Sequence, residues 1–354
     1  MRKKTKSVFI GPVEVGGLKP IVVQSMTTTD TRDVRKTVLQ IKRLERAGCE
    51  IVRVAVRDVE AAASIAAIRK KIRIPLIADI HFDDRLAVSA MLAGADGIRI
   101  NPGNMDPEGI RAIVKVAKER GTAIRIGINA GSLEKDLLRE YGHPCADALV
   151  ASAIRHVGRL EEMGFDRMKI SVKSSHVPTM IHAYRALSSK VDYPLHLGVT
   201  EAGSLLNAAV KSAIGMGTLL FEGIGDTLRV SVTGDPVQEL PIAYGILRTL
   251  DIRRVGVEIV SCPTCGRCEI DLAGLVRQTE RRLAGIKPYL KVALMGCVVN
   301  GPGEAAEADI GIAGGRGFGM LFKKGKIVRK LHESEFIDTL MAEVSAMVQN
   351  QEEN

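Results

Sequence analysis

Four cysteines fall in two short stretches, Ser261-Cys-Pro-Thr-Cys-Gly-Arg-Cys268 and, further along, Gly296-Cys-Val-Val-Asn-Gly-Pro-Gly-Glu304. Cys262, Cys265, Cys268 and Cys297 lie among glycines and prolines, which let backbone wrap closely round something compact. Thiolates at Cys-x-x-Cys spacing hold zinc, an iron–sulfur cluster or a redox disulfide. Zinc is the plainest reading of paired thiolates, but a second pair is missing. Cys297 has no Cys or His close by, and the nearest downstream ligand type is the carboxylate of Glu304. Three thiolates with a weak or exchangeable fourth ligand make a poor structural clip. They leave a cluster iron open to substrate, which is the pattern of a catalytic cluster.

A second set of polar residues recurs through the chain up to Leu250: Gln24 to Met26, Arg53 and Arg57, Asp79 with His81, Arg99 with Asn101 and Asn104, Arg125 with Asn129, Lys173 to Ser175, His196 with Thr200 and Glu201, then Asp226 and Arg229. Any one of them taken alone is a loop residue. Their recurrence at the same end of successive apolar runs is the signal, because guanidinium forks converging on one mouth bind phosphate or diphosphate oxygens bidentately. Asp79 and His81 suit an acid/base pair or a metal pair, and equally a histidine satisfied by its neighbour.

The elements that must position these residues are a repeated strand and helix. Strands are expected at Ile21–Met26, Ile51–Val56, Leu76–Ile80, Gly97–Ile100, Ile124–Asn129, Met168–Val172, Leu195–Val199 and Leu228–Val232, with helices such as Thr31–Ala47 and Asp106–Arg120 ending at Gly48 and Gly121. Eight such units with continuous apolar strands argue a closed parallel (β/α)8 TIM barrel, with catalytic groups at the C-terminal strand ends. An open doubly wound sheet is the runner-up, but no Gly-rich dinucleotide fingerprint follows the first strand. Beyond Leu250 the expected order is strand Val255–Val260, helix Asp271–Ala284, strands Lys291–Met295, Ala308–Ala313, Gly317–Phe322 and Lys326–Leu331, and a helix over Glu333–Gln349. The expected division is therefore a barrel over 1–252 that binds substrate and a smaller α+β domain over 253–354 that carries the cluster. Both cysteine loops leave C-terminal strand ends, so neighbouring strands would bring Cys262, Cys265 and Cys297 together. Cys49 and Cys145 fall in the barrel as structural or incidental thiols.

Composition agrees with an enzyme of this kind. The 354 residues are 46% hydrophobic and 26% charged, enough for a large core and against disorder. The net charge of +9 suits an anionic substrate or a nucleic acid, but with 3% aromatics and no Trp a stacking platform for single-stranded bases is not expected. The basic start Met-Arg-Lys-Lys-Thr-Lys is followed by no apolar segment and no run approaches a membrane span, so a cytoplasmic location is expected. Six cysteines in such a chain point to metal or catalysis rather than to a disulfide framework.

Six stretches together, Ile21-Val-Val-Gln-Ser-Met26, Ala78-Asp-Ile-His-Phe82, Arg99-Ile-Asn-Pro-Gly-Asn104, Gly198-Val-Thr-Glu-Ala-Gly203 and the two cysteine stretches, resemble the bacterial 4-hydroxy-3-methylbut-2-enyl diphosphate synthase family of the methylerythritol phosphate route to isoprenoids. The resemblance implies a TIM barrel with a cluster domain in the compact two-domain form, a [4Fe–4S] cluster, and reductive opening of 2-C-methyl-D-erythritol 2,4-cyclodiphosphate. It implies flavodoxin or ferredoxin as electron donor and a homodimer in which one chain's cluster domain caps the other's barrel. Spacing alone nominates Cys268, because Cys262, Cys265 and Cys268 copy the start of a ferredoxin run. The resemblance instead assigns the metal to Cys262, Cys265, Cys297 and Glu304. Substrate binding is expected from Arg53, Arg99, Asn101, Arg125, Asn129, Lys173 and His196, and proton donation from Glu201, His81 or Asp79. A zinc-dependent TIM-barrel hydrolase of a phosphorylated substrate is the alternative, and a zinc-ribbon nucleic-acid binder a more distant one.

Overall fold

The computed structural model describes residues 2–297, 303 and 306–352. It opens with an antiparallel hairpin, β1 (Val8–Ile10) and β2 (Val13–Val15). Eight strands follow: β3 (Val22–Met26), β4 (Ile51–Ala55), β5 (Leu76–Asp79), β6 (Gly97–Ile100), β7 (Ala123–Asn129), β8 (Met168–Lys173), β9 (His196–Leu197) and β10 (Thr227–Leu228). Each strand from β3 to β8 pairs in parallel with the next, β10 pairs with both β3 and β9, and a parallel bridge from Ile170 to Leu195 joins β8 to the entry of β9. This is the expected closed barrel. The last two strands are only two residues long, with the Arg229 N–H still donating to Leu197 O just past them.

Helices form between the strands for local reasons. Asp33, Asp58, Asp83 and Asp106 each accept a backbone N–H of the first helical turn as N-caps, and Gly121, at φ +70°, ends the helix Pro107–Arg120 in a left-handed turn that suits a residue without a Cβ. Their apolar faces pack on the outside of the strands, through Ile41, Leu44, Ile65, Ile113, Leu160 and Leu187 among others.

Successive side chains alternate inward and outward along a strand, and this alternation decides what the barrel contains. Val22, Ile51, Ile77 and Ala123, near the N-terminal strand ends, form one buried cluster with Val8, Ile10 and Val15 of the hairpin. Two residues further along the same strands stand Gln24, Arg53, Asp79 and Arg125, all buried. The barrel is thus sealed below by the apolar hairpin and is polar above. The hairpin was not among the expected elements, its strands being only three residues each.

The chain divides after Arg253, and the second unit has its own sheet in the order β11 (Val257–Ser261), β12 (Leu290–Met295), β13 (Ile310–Gly315), β14 (Phe318–Lys323), β15 (Lys326–His332). β11 to β13 are parallel and β13 to β15 antiparallel. The helices Leu272–Leu283 and Phe336–Glu352 bury one face, where Leu275, Leu283, Val292, Leu294, Ile312 and Leu340 share a core.

Candidate active site

Arg53, Asp79, Arg99 and Arg125 occupy neighbouring strands β4 to β7, and all four are buried. Asp79 Oδ2 lies 3.5 Å from Arg53 Nε, and its Oδ1 accepts from Arg99 Nη1 at 3.3 Å. Burial alone would push the Asp79 carboxyl up, but Arg53, the hydrogen bond with His81, Arg99 and Arg125 together hold it far below the usual carboxylate range. Asp79 is held between the two arginines, an arrangement that favours an anchoring role over the proton-donor role expected for it. Burial brings Arg53 down to about 10 against the pull of Asp79. His81 is 48% exposed at the mouth, with Nε2 3.7 Å from Asp79 Oδ1 and 2.8 Å from Arg99 Nη1.

The other expected cations sit deeper than a surface rim. Arg99 Nη2 donates to Gly127 O at 3.1 Å, and a Cβ on Gly127 would collide with the Arg99 guanidinium. Arg125 Nη1 donates to Ser171 Oγ at 2.9 Å. Lys173 lies along Gly198, where a Cβ would stand 2.6 Å from Nζ. Glycine at these inward positions makes room for charge. Burial first, and then the neighbouring Arg125 and Arg53, depress the pKa of Lys173 well below that of an ordinary lysine. The same causes act on His196, whose Nδ1 pairs with Thr227 Oγ1 at 2.8 Å, so its imidazole is neutral.

Sequence reasoning missed Lys169, Ser171 and Glu239. Lys169 is fully buried, 3.3 Å from Gln24 Oε1, and Glu239 is a buried carboxylate that accepts from Ser25 Oγ at 2.7 Å and Arg229 Nη2 at 2.8 Å. The alternation Lys169, Ser171, Lys173 along β8 was the available signal. Asp226, in contrast, does not belong to the mouth: it precedes β10 and accepts from Leu195 N, Thr5 Oγ1 and Arg2 Nη2, tying the N-terminal segment beneath the barrel.

Two loops carry the asparagines. Asn101 Nδ2 donates to Ser132 Oγ at 3.2 Å, joining the loop after β6 to the one after β7, the strand whose last residue is Asn129. The second loop is held by Glu134, which takes hydrogen bonds from Ser152 Oγ at 2.8 Å and His156 Nε2 at 2.6 Å, both on the helix Ala146–Glu162. Burial opposes the Glu134 charge, but the His156 bond and its other donors bring the pKa down to about 2. Glu201 is exposed and holds a left-handed φ of +53°, a sparsely populated conformation for a side chain of that kind.

Six basic side chains, Arg53, Arg99, Arg125, Lys169, Lys173 and Arg229, thus share the upper barrel with two carboxylates, Asp79 and Glu239. Several buried nitrogens there have no partner: the donors Gln24 Nε2, Arg99 Nε, and Arg125 Nε and Nη2, together with His196 Nε2. Unsatisfied buried donors are costly, and a phosphate or diphosphate is the ligand that answers both the charge and the hydrogen bonds.

In the second unit, Cys262 directly follows β11 and Cys297 lies two residues past β12, at the same end of two parallel strands paired Ser261 to Leu294. Gly296 N donates to Cys262 Sγ at 3.2 Å, and a Cβ on Gly296 would stand 2.5 Å from Cys268 Sγ, which itself donates to Ile270 O at 3.3 Å. Cys265 is exposed. Among the described residues no three His, Cys, Asp or Glu side chains form a ready-made chelate, and the expected ligand Glu304 lies outside the described residues. The donor chemistry nevertheless fits an iron–sulfur cluster: thiols from two adjacent strand ends, a glycine cradle, and an N–H directed at sulfur. Cys268 Sγ lies beside Gly296, whose N–H donates to Cys262 Sγ, and its thiol donates to Ile270 O.

Comparison with known proteins agrees with both units. Residues 5–244 match the GcpE TIM-barrel domain and residues 258–346 the GcpE protein C-terminal domain. Two curated relatives, each named 4-hydroxy-3-methylbut-2-en-1-yl diphosphate synthase (flavodoxin), are 58% identical in Caldanaerobacter subterraneus subsp. tengcongensis, over 99% of both chains, and 55% identical in Geobacter sulfurreducens, over 98% of this chain and 99% of the relative. Among solved structures, dihydropteroate synthase from Yersinia pestis aligns with a TM-score of 0.51 at 15% identity over 69% of this chain and 98% of its own, a likeness of fold alone.

Proposed function

The chain belongs to the GcpE family, and we propose that it is an iron–sulfur oxidoreductase that converts 2-C-methyl-D-erythritol 2,4-cyclodiphosphate to 4-hydroxy-3-methylbut-2-enyl diphosphate, with flavodoxin as electron donor. The observation that carries the reading from the structure is the set of unpartnered buried nitrogens on Arg99, Arg125, Gln24 and His196 inside an excess of basic side chains. Arg53, Arg99, Arg125 and Lys173 bind the diphosphate oxygens, and Asn101 and Asn129 orient the hydroxylated carbon chain. The ring C–O bond opens and a hydroxyl leaves as water, for which two electrons and a proton are taken up.

A cluster of the [4Fe–4S] type, held by Cys262, Cys265, Cys297 and Glu304, supplies single electrons and a Lewis-acid iron when bound. His81 and Glu201 are the remaining proton donors, since Asp79 stays ionised. Neutral His196 donates Nε2–H or accepts at that atom without adding charge. The apolar floor keeps bulk water from the lower barrel. We also propose that the protein is cytoplasmic and works as a homodimer; no helix among the described residues is long and apolar enough to cross a membrane.

Anaerobically prepared protein is expected to show a broad brown visible band and to turn over the cyclic diphosphate with reduced flavodoxin. A colourless zinc-loaded protein that hydrolyses a phosphorylated substrate would establish the alternative.

A further inference from the structure

The strand β15 forms the outer edge of the second unit's sheet, and residues 324–330 are all exposed. Residues 323–330 hold Lys323, Lys324, Lys326, Arg329 and Lys330 and no acid. Lys323 pairs with Glu343, and Lys330 lies over the Phe318 ring at 3.9 Å, but among the described residues Lys324, Lys326, Arg329 and Lys330 face no carboxylate. Lysines on an edge strand guard against edge-to-edge pairing. A guard does not account for Ile327 and Val328, which lie 60% and 49% exposed in the middle of the same cations. An apolar pair ringed by unpaired like charges is the make-up of a weak, charge-steered protein interface.

The sheet also relates this edge to the cysteine loops. β15 lies three strands from β12, roughly 14 Å at about 4.8 Å per strand, and Arg329 and Lys330 pair through Leu321 and Met320 with Ile312 and Ala313, level with Leu294 and Met295 at the end of β12. From the charge and this position we propose that β15 is the docking surface for the acidic flavin protein that delivers electrons, its carboxylates meeting Lys326, Arg329 and Lys330 while Ile327 and Val328 form the dry centre. Each encounter oxidises the carrier by one electron and reduces this chain by one. The proposal rests on the oxidoreductase reading above and adds the place of contact.

The test uses the cluster-loaded enzyme and two reductants, reduced flavodoxin and a small viologen that needs no protein interface. The triple variant Lys326→Glu, Arg329→Glu, Lys330→Glu should raise the KM for flavodoxin at least ten-fold and flatten its dependence on salt, with viologen-driven turnover unchanged. A neutral set, Lys326→Gln, Arg329→Gln, Lys330→Gln, should give an intermediate rise. The barrel pair Lys70→Glu and Lys71→Glu, also exposed, changes net charge elsewhere and should leave the KM unaltered. An unchanged flavodoxin KM in the triple variant, an equal loss with viologen, or an equal rise in the barrel pair would each overturn the surface. Absence of viologen-driven turnover in the unaltered enzyme would instead overturn the function on which the proposal rests.

Discussion

Arg99 and Arg125 are register partners on β6 and β7, so two buried guanidinium groups stand one strand spacing apart, and Asp79, the register partner of Arg99, is the carboxylate between Arg99 and Arg53. Like charges directly opposite one another in a sheet are destabilising. An anion shared by both guanidinium groups relieves that repulsion, which sets stability against binding.

Arg125→Met should therefore leave the ligand-free protein as stable as before or more so, since it removes a like charge and keeps the apolar stem. Binding should suffer: loss of a charged phosphate contact costs about 2–4 kcal/mol, roughly 30- to 700-fold in affinity. Thermal unfolding and KM for the cyclic diphosphate, measured on one preparation with the same iron content, check both halves. A KM within two-fold of the unaltered enzyme, as an order-of-magnitude limit, would remove Arg125 from the substrate site.

Lys173 provides a pH test. Its amine is depressed in the free protein by burial and by Arg125 and Arg53, and an arriving diphosphate raises it again. The complex then holds more protons than the free state, so affinity should strengthen as pH falls from the alkaline side until the free amine is itself protonated. Calorimetry of substrate or pyrophosphate binding in buffers of different ionisation enthalpy should show proton uptake, and Lys173→Met should reduce it. Equal uptake in the variant would assign the proton elsewhere.

Asp79→Asn tests the anchor role against the proton-donor role. Removing one partner of a buried ion pair typically costs 3–5 kcal/mol, so the barrel's unfolding midpoint should drop, and pyrophosphate should restore part of the loss by neutralising Arg53 and Arg99. A variant of unchanged stability that binds substrate normally but fails to turn over would return Asp79 to the proton donors.

Among the thiols, Cys262→Ser, Cys265→Ser and Cys297→Ser should each lose most of the bound iron, whereas Cys268→Ser should keep it, because Cys268 already packs on Gly296 and donates to Ile270 O. Iron and sulfide analysis with the visible spectrum decides this. Equal loss in Cys268→Ser would place that thiol in the ligand set.

Glu134 offers an acid-side measurement. A carboxyl lowered to about 2 in the folded protein contributes stability that is complete above its unfolded value and fades as pH falls toward about 2. Glu134→Gln should lose that part of the acid dependence, and the KM should rise because the loops bearing Asn101 and Asn129 lose their tether to His156. Identical acid-unfolding curves for the two proteins would show that the carboxylate adds nothing.

Much of the barrel was legible because its strands are continuous apolar runs between capped helices, and β6 was read to the residue. The expected strands over Leu195–Val199 and Leu228–Val232 run past β9 and β10, since apolar residues such as Val199 and Val230 continue beyond Leu197 and Leu228, where the strands end. The cations at strand ends were visible as a recurrence. Lys169 was not, because a lysine in the middle of an apolar strand contradicts the usual filling of a barrel. Glu239 was hidden for another reason: it lies on a helix, outside the strand-end pattern that guided the reading. The three-residue strands of the β1–β2 hairpin are too short to leave a periodic signal at all.

That hairpin has a kinetic consequence. With Val8, Ile10 and Val15 plugged beneath Val22, Ile51, Ile77 and Ala123, the barrel is a cup with one opening, so substrate and product must pass through the same door and neither can follow the other through. Product still bound at the arginines excludes the next substrate outright, and the diphosphate product should behave as a purely competitive inhibitor whose departure sets an upper limit on the turnover rate.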